Sequence, residues 1–142
     1  MSTKINKSKQ TAEYWINTYQ MEKHPEGGWF KEIFRSDLKY KTETESERNI
    51  STSIVYLLKG DDISVFHKMK SEELWHFYDG STNINLHILK DNKRYDKLIL
   101  GLNYNALPCI YVPGNVWFSA ELEDKNKDDE SEPDISDLDF KL

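Results

Sequence analysis

"FHKMKSEELWHFYDG", residues 66–80, sets two histidines and Glu73 among aromatic side chains and decides how the rest of the chain is read. The stretch "ISVFHKM" before the "KSEE" break alternates in polarity, and "LWHFYDG" after it runs to Asp79–Gly80, a strong turn signal. Alternate side chains of a strand share a face. Val65, His67 and Met69 therefore point one way, and Ser64, Phe66 and Lys68 the other. In the next strand Glu73, Trp75 and Phe77 share a face, opposite Leu74, His76 and Tyr78. Antiparallel pairing through "KSEE" brings His67 and Glu73 into one interior. An imidazole and a carboxylate in an aromatic-lined cavity make a ligand pair for a metal or an acid–base pair. They equally make a hydrogen-bonded pair inside a barrel that does no chemistry. By parity His76 leaves on the other face and reads as a packing or dimer contact. His87, on the polar face of "NINLHIL", reads as solvated.

Working outward, "WFKEIFRS", "STSIVYLL", "NINLHIL", "YDKLILG" and "CIYVPGNVWFSAEL" repeat the pattern of short apolar or alternating runs punctuated by turn residues. Together they give about seven or eight strands, which predicts an all-β sandwich or barrel. Before them "TAEYWINTYQ" places Ala12, Trp15, Ile16 and Tyr19 at helical spacing, and "HPEGG" breaks that short helix. The corner reads as structural, with His24 and Glu26 on the barrel rim or a subunit interface as the functional alternative. The ordered domain is expected over residues 11–123, between a polar, disordered N-terminus (1–10) and an acidic, disordered tail (124–142).

The chain has 142 residues, enough for one core. Its formal net charge is −6, unevenly placed. Residues 121–142 hold ten acids and three lysines, a net of −7, which leaves residues 1–120 at +1. No basic stripe with interleaved aromatics occurs, which argues against nucleic acid as a partner. No apolar run approaches the ~20 residues of a membrane span, and the N-terminus lacks a secretory core, so the expected location is cytoplasmic, with no membrane partner. The single cysteine, Cys109, lies in the apolar run "CIYV" and reads as a buried structural thiol.

The spacing Gly60-x6-His67-x-Met69-x3-Glu73-x6-Gly80 resembles the first motif of the cupin superfamily, and "YVPGNVWFSA" resembles the second. More narrowly, "HPEGGWFKEIFRS", "STSIVYLL", "FHKMKSEELWHFYDG" and "VPGNVWF", in this order, resemble a cupin subfamily of unknown function, sometimes called the fifth cupin family, over residues 12–123. The resemblance implies a cupin-like jelly-roll β-barrel with a short N-terminal helix, a homodimer, and a site inside the barrel. It also implies a departure. Metal-binding cupins use three histidines and a glutamate, whereas here Met69 and Phe118 stand near two of the histidine places. A thioether suits hard or borderline ions poorly and a phenyl ring is no ligand, so neither a metal nor another cofactor is expected.

Metal-independent epimerases of this fold imply His67 as base, oriented by Glu73. They imply Arg35 or Arg48 holding an anionic group and Tyr56 donating a proton. Met69, Trp75 and Trp117 are expected to complete the binding surface. The acidic tail stands where the family places a further strand, so the barrel is expected to lack its final strand. The resulting expectation is a barrel binding a small polar or sugar-like molecule, with isomerase-like catalysis through His67. A non-catalytic binding barrel and a metal-dependent cupin with an incomplete ligand set remain as alternatives.

Overall fold

A computed structural model of the chain describes residues 10–123. The expected helix is α1 (Ala12–Tyr19). The Thr11 hydroxyl caps it by accepting from the Tyr14 amide at 3.1 Å, and Gln20 ends it in the left-handed region with φ of 53°. Two side chains tie it to the barrel: the Trp15 indole donates to Asp79 and Lys59 pairs with Glu13.

Eleven strands complete the described residues. β1 (Glu22–Lys23), β2 (Trp29–Arg35) and β5 (Thr52–Leu57) form one antiparallel sheet, with β2 central. β3 (Lys39–Lys41) and β4 (Glu47–Asn49) form a separate hairpin. β6 (Ile63–Lys68), β8 (Ile84–Leu89), β9 (Tyr95–Leu100) and β11 (Trp117–Leu122) make a four-stranded sheet in the order β6-β11-β8-β9. β7 (Glu73–His76) pairs with β10 (Cys109–Val112).

Every strand expected from alternation is present. The expected pairing of β6 with β7 is not: β6 lies against β11 and β7 against β10. "KSEE" is thus a crossover between two sheets rather than a hairpin turn.

The core lies where these sheets face one another. Leu86 and Ile88 of β8, Leu100 of β9, Ile110 and Val112 of β10, and Phe118 and Ala120 of β11 are buried together, with Leu58 following β5. Tyr56, Trp75 and Phe77 pack on this cluster and close the inner wall. Apolar side chains from facing sheets exclude water between them, and this burial is the main term holding a barrel closed.

β6 and β11 do not pair evenly. Phe118 faces His67 and Ala120 faces Ser64, so three steps of β6 oppose two of β11. This bulge puts both Ser64 and His67 on the inner wall, where simple alternation had set Ser64 outward. It also releases the Val65 amide from the ladder, and that amide donates to the Glu26 carbonyl at 2.8 Å. The corner over residues 24–28 is thereby fastened to β6. Gly27 (φ 111°) is required there, because a Cβ would sit 1.9 Å from the Ile63 carbonyl oxygen.

Candidate functional site in the barrel interior

His67 stands on the inner wall of β6, half-buried, with its ring 4.3 Å from the Phe118 ring. Its Nδ1 lies 2.8 Å from the Val65 carbonyl oxygen. A carbonyl only accepts, so Nδ1 carries the proton and Nε2 presents the lone pair. Glu73 stands on β7, also half-buried, and its Oε2 accepts from the Trp75 indole at 2.8 Å. His67 and Glu73 are therefore each held by a residue two positions away. The link between them is aromatic. Phe118 packs on His67, and Trp75, anchored to Glu73, meets Phe118 edge-on at 6.3 Å.

Tyr56 of β5 extends the same wall, 5.6 Å from Trp75 and 5.4 Å from the His24 ring. Its hydroxyl donates to the Gly27 carbonyl. Burial pushes the phenol up to about 12, a hydrogen bond with Ser64 works the other way, and the Asp62, Glu26 and Glu73 carboxylates add to the rise. A phenol so held and so weakly acidic is a poor proton donor. Tyr56 serves instead to fix the 24–28 corner to the wall.

The corner brings His24 and Glu26 to this wall as well. The Glu26 amide donates to His24 Nδ1 at 3.1 Å, while its carboxylate Oε2 lies 2.9 Å from the same nitrogen. An amide can only donate, so the neutral ring offers Nδ1 to the amide. A ring carrying its proton on Nδ1 would instead donate to the carboxylate. Neither contact follows from alternation, because the corner is not a strand. The signal that locates it is the glycine pair that folds it back onto β5 and β6.

A family model described as "Cupin superfamily (DUF985)" matches residues 13–135. The chain belongs to this cupin family. Two solved structures share the cupin's fold. One is a hypothetical protein from Leishmania major, 28% identical, covering 78% of this chain and 69% of that one, with a TM-score of 0.71. The other is a Shewanella oneidensis protein determined by X-ray crystallography, 24% identical, covering 81% and 71%, with a TM-score of 0.73. No curated protein matches the chain. The family match runs past residue 123 into the acidic stretch; the expected absence of a final strand lies outside the described residues.

The other expected site residues of this cupin are scattered. Trp117 sits on the rung with Lys68 and Leu89, on the face of the four-stranded sheet opposite His67. Met69 lies just past the end of β6, exposed, with its carbonyl accepting from the Asn115 amide. Arg48 is exposed on β4, in the hairpin that continues the β2–β5 ribbon. Arg35 does share the sheet face of Phe30 and Tyr56, through its rung with Thr52. Its guanidinium, however, is engaged by Glu32 at 2.6 Å and by Asn49 at 3.0 Å.

Two further expectations are corrected. Cys109 is exposed, because β10 turns it to the outer face opposite His76. His87 is 1% exposed rather than solvated. Its Nδ1 meets the Tyr95 hydroxyl at 2.6 Å and its Nε2 meets Glu121 at 3.0 Å.

A cupin metal centre would need donors at the places Met69 and Phe118 occupy. Met69 is exposed at the strand exit, and the Phe118 ring fills the space beside His67. Among the described residues no three His, Cys, Asp or Glu side chains gather closely enough to share an ion. These residues do not fit the three-histidine, one-glutamate metal set of metal-binding cupins.

Proposed function

We propose that this cupin binds a small polar, sugar-like molecule inside the barrel, with His67 Nε2 as the acceptor that becomes a base. The observation that carries this reading is the Val65–His67 hydrogen bond, which leaves the lone pair of Nε2 available beside an aromatic wall. The flat face of Trp75, which is only half-buried, suits the apolar face of a sugar ring, and Glu73, steadied by the Trp75 indole, suits its hydroxyls. Catalysis on this plan is a metal-independent isomerisation. His67 takes a proton from the hydroxyl-bearing carbon next to a carbonyl, and the electron pair moves onto the carbonyl oxygen to give an enediolate; the neighbouring hydroxyl proton passes to that oxygen and His67 returns its proton to the former carbonyl carbon, so that carbonyl and hydroxyl exchange places.

A thermal-shift screen of monosaccharides, followed by calorimetry on the native protein and on His67→Ala, tests binding. Binding that survives His67→Ala unchanged removes His67 from the site. Deuterium uptake by the bound sugar in heavy water then separates an enzyme from a non-catalytic binding barrel, the second reading, in which binding persists and no label enters.

The same proposal includes a cytoplasmic homodimer. The outer face of β7 and β10 leaves Leu74 63% exposed and Tyr111 50% exposed, with Tyr78 just beyond at 83%. A contiguous apolar face of this kind is a dimer surface, and sedimentation showing only monomer at micromolar concentration rejects it.

A further inference from the structure

We infer that the His67 site admits uncharged or cationic molecules and turns anions away, so that its ligand is a neutral or amino sugar rather than a phosphate or nucleotide. This rests on the binding reading above and specifies its chemistry. His67, Trp75 and Glu73 define the site; the charges around them set its sign. Glu73 lies on the wall itself, Glu26 enters from the corner, and Asp62 follows β5, accepting from the Lys59 amide at 3.1 Å. All three carboxylates act on the Tyr56 hydroxyl in the same sense; the His24 ring meets the Glu26 carboxylate at 2.9 Å and offsets it only when protonated.

Several cations of the neighbouring strands and loops are directed elsewhere. Arg35, on the same sheet face, is held by Glu32 and Asn49. Lys59 pairs with Glu13 at 3.1 Å and lies 5.4 Å over the Trp29 ring, and Lys23 lies 4.2 Å over that same ring. Trp29 shares its rung with Leu57, on the face opposite Phe30 and Tyr56. Lys68 is on the outer rung with Trp117 and 3.9 Å from Asp91. Residues 1–120 together carry a net charge of +1, from 16 bases and 15 acids, so the negative sign at the site comes from placement rather than bulk composition. A site with carboxylates on its wall, and with the one arginine of the same sheet face among the described residues already engaged, repels phosphate and attracts ammonium.

The inference is tested without any ligand by collisional quenching of Trp75 fluorescence, isolated as the difference between the full chain and Trp75→Phe. Caesium and acrylamide are expected to quench Trp75, and iodide several-fold less. In the Glu26→Gln/Glu73→Gln double variant, iodide quenching should rise to match caesium. Iodide equal to or better than caesium in the native protein overturns the inference, as does a double variant that leaves the ratio unchanged. A second arm uses calorimetry with glucose, glucosamine and glucose 6-phosphate, with the phosphate expected at least tenfold weaker than the others. Tightest binding by the phosphate overturns the inference while leaving the binding reading intact. Failure of all three sugars counts against the sugar-like ligand, and the quenching result still decides the sign of the site.

Discussion

His67 and His87 stand one rung apart on opposite faces of the same sheet. β11 lies between their strands, with Phe118 facing His67 and Ser119 facing His87. The inner histidine is half-buried and has one ring nitrogen tied to a backbone carbonyl. The outer one is buried, with both nitrogens tied to side chains, Tyr95 and Glu121. Burial alone would rank His87 as the more unusual group. What separates them is the number of nitrogens already in use. A histidine with both nitrogens engaged holds structure together, and one with a lone pair to offer can meet a ligand.

The comparison breaks most readily at His87. His87→Ala removes a buried imidazole together with its hydrogen bonds to Tyr95 and Glu121, and should cost about 2–3 kcal/mol. Urea denaturation measures this, and a loss under about 0.5 kcal/mol would show that the network is idle. Ligand binding by the folded variant should be unchanged.

A smaller effect is expected at high pH from Tyr56. Its folded-state value is raised to about 12 by burial. Between the ordinary tyrosine value and about 12 the unfolded chain therefore loses this proton first. Stability linked to Tyr56 is present below that ordinary value and is lost as pH rises toward about 12, on the order of 2 kcal/mol in all. Tyr56→Phe should remove this part of the alkaline loss, and denaturation curves from pH 9 upward in both proteins provide the measurement.

His67→Ala should have the converse profile to His87→Ala: about 1 kcal/mol of stability, with loss of ligand binding. If it proves the more destabilising of the two, the assignment of roles is reversed. Smallest of all is Arg35→Ala. Its exposed ion pair with Glu32 contributes under about 1 kcal/mol, and sugar binding should not change. A large loss of binding would return Arg35 to the site.

Much of this fold is legible in the chain, and the failures are as physical as the successes. Strands such as β6, β7 and β10 announce themselves because alternate residues differ in burial, which imposes a period of two. The β3–β4 hairpin does not, since its residues are exposed on both faces apart from Asn49 and no alternation is imposed. Parity puts His67 and Glu73 on inner faces but cannot name their neighbours, because strand order depends on contacts distant in sequence. For His87 parity gives the right face and the wrong environment: alternation reports which way a side chain points, not what covers it. Arg35 points along the expected wall, yet Glu32, brought to it across the bulge in β2, claims the guanidinium first.

Val65 is a supernumerary residue. Take it away and Ser64 still faces Ala120 and His67 still faces Phe118, now in even alternation along β6. What disappears is a relay: the Val65 amide grips the corner at Glu26 and its carbonyl grips His67 Nδ1. Which of the two imidazole nitrogens greets a guest is thus settled by the length of the chain, one residue in surplus, and not by any side chain around it.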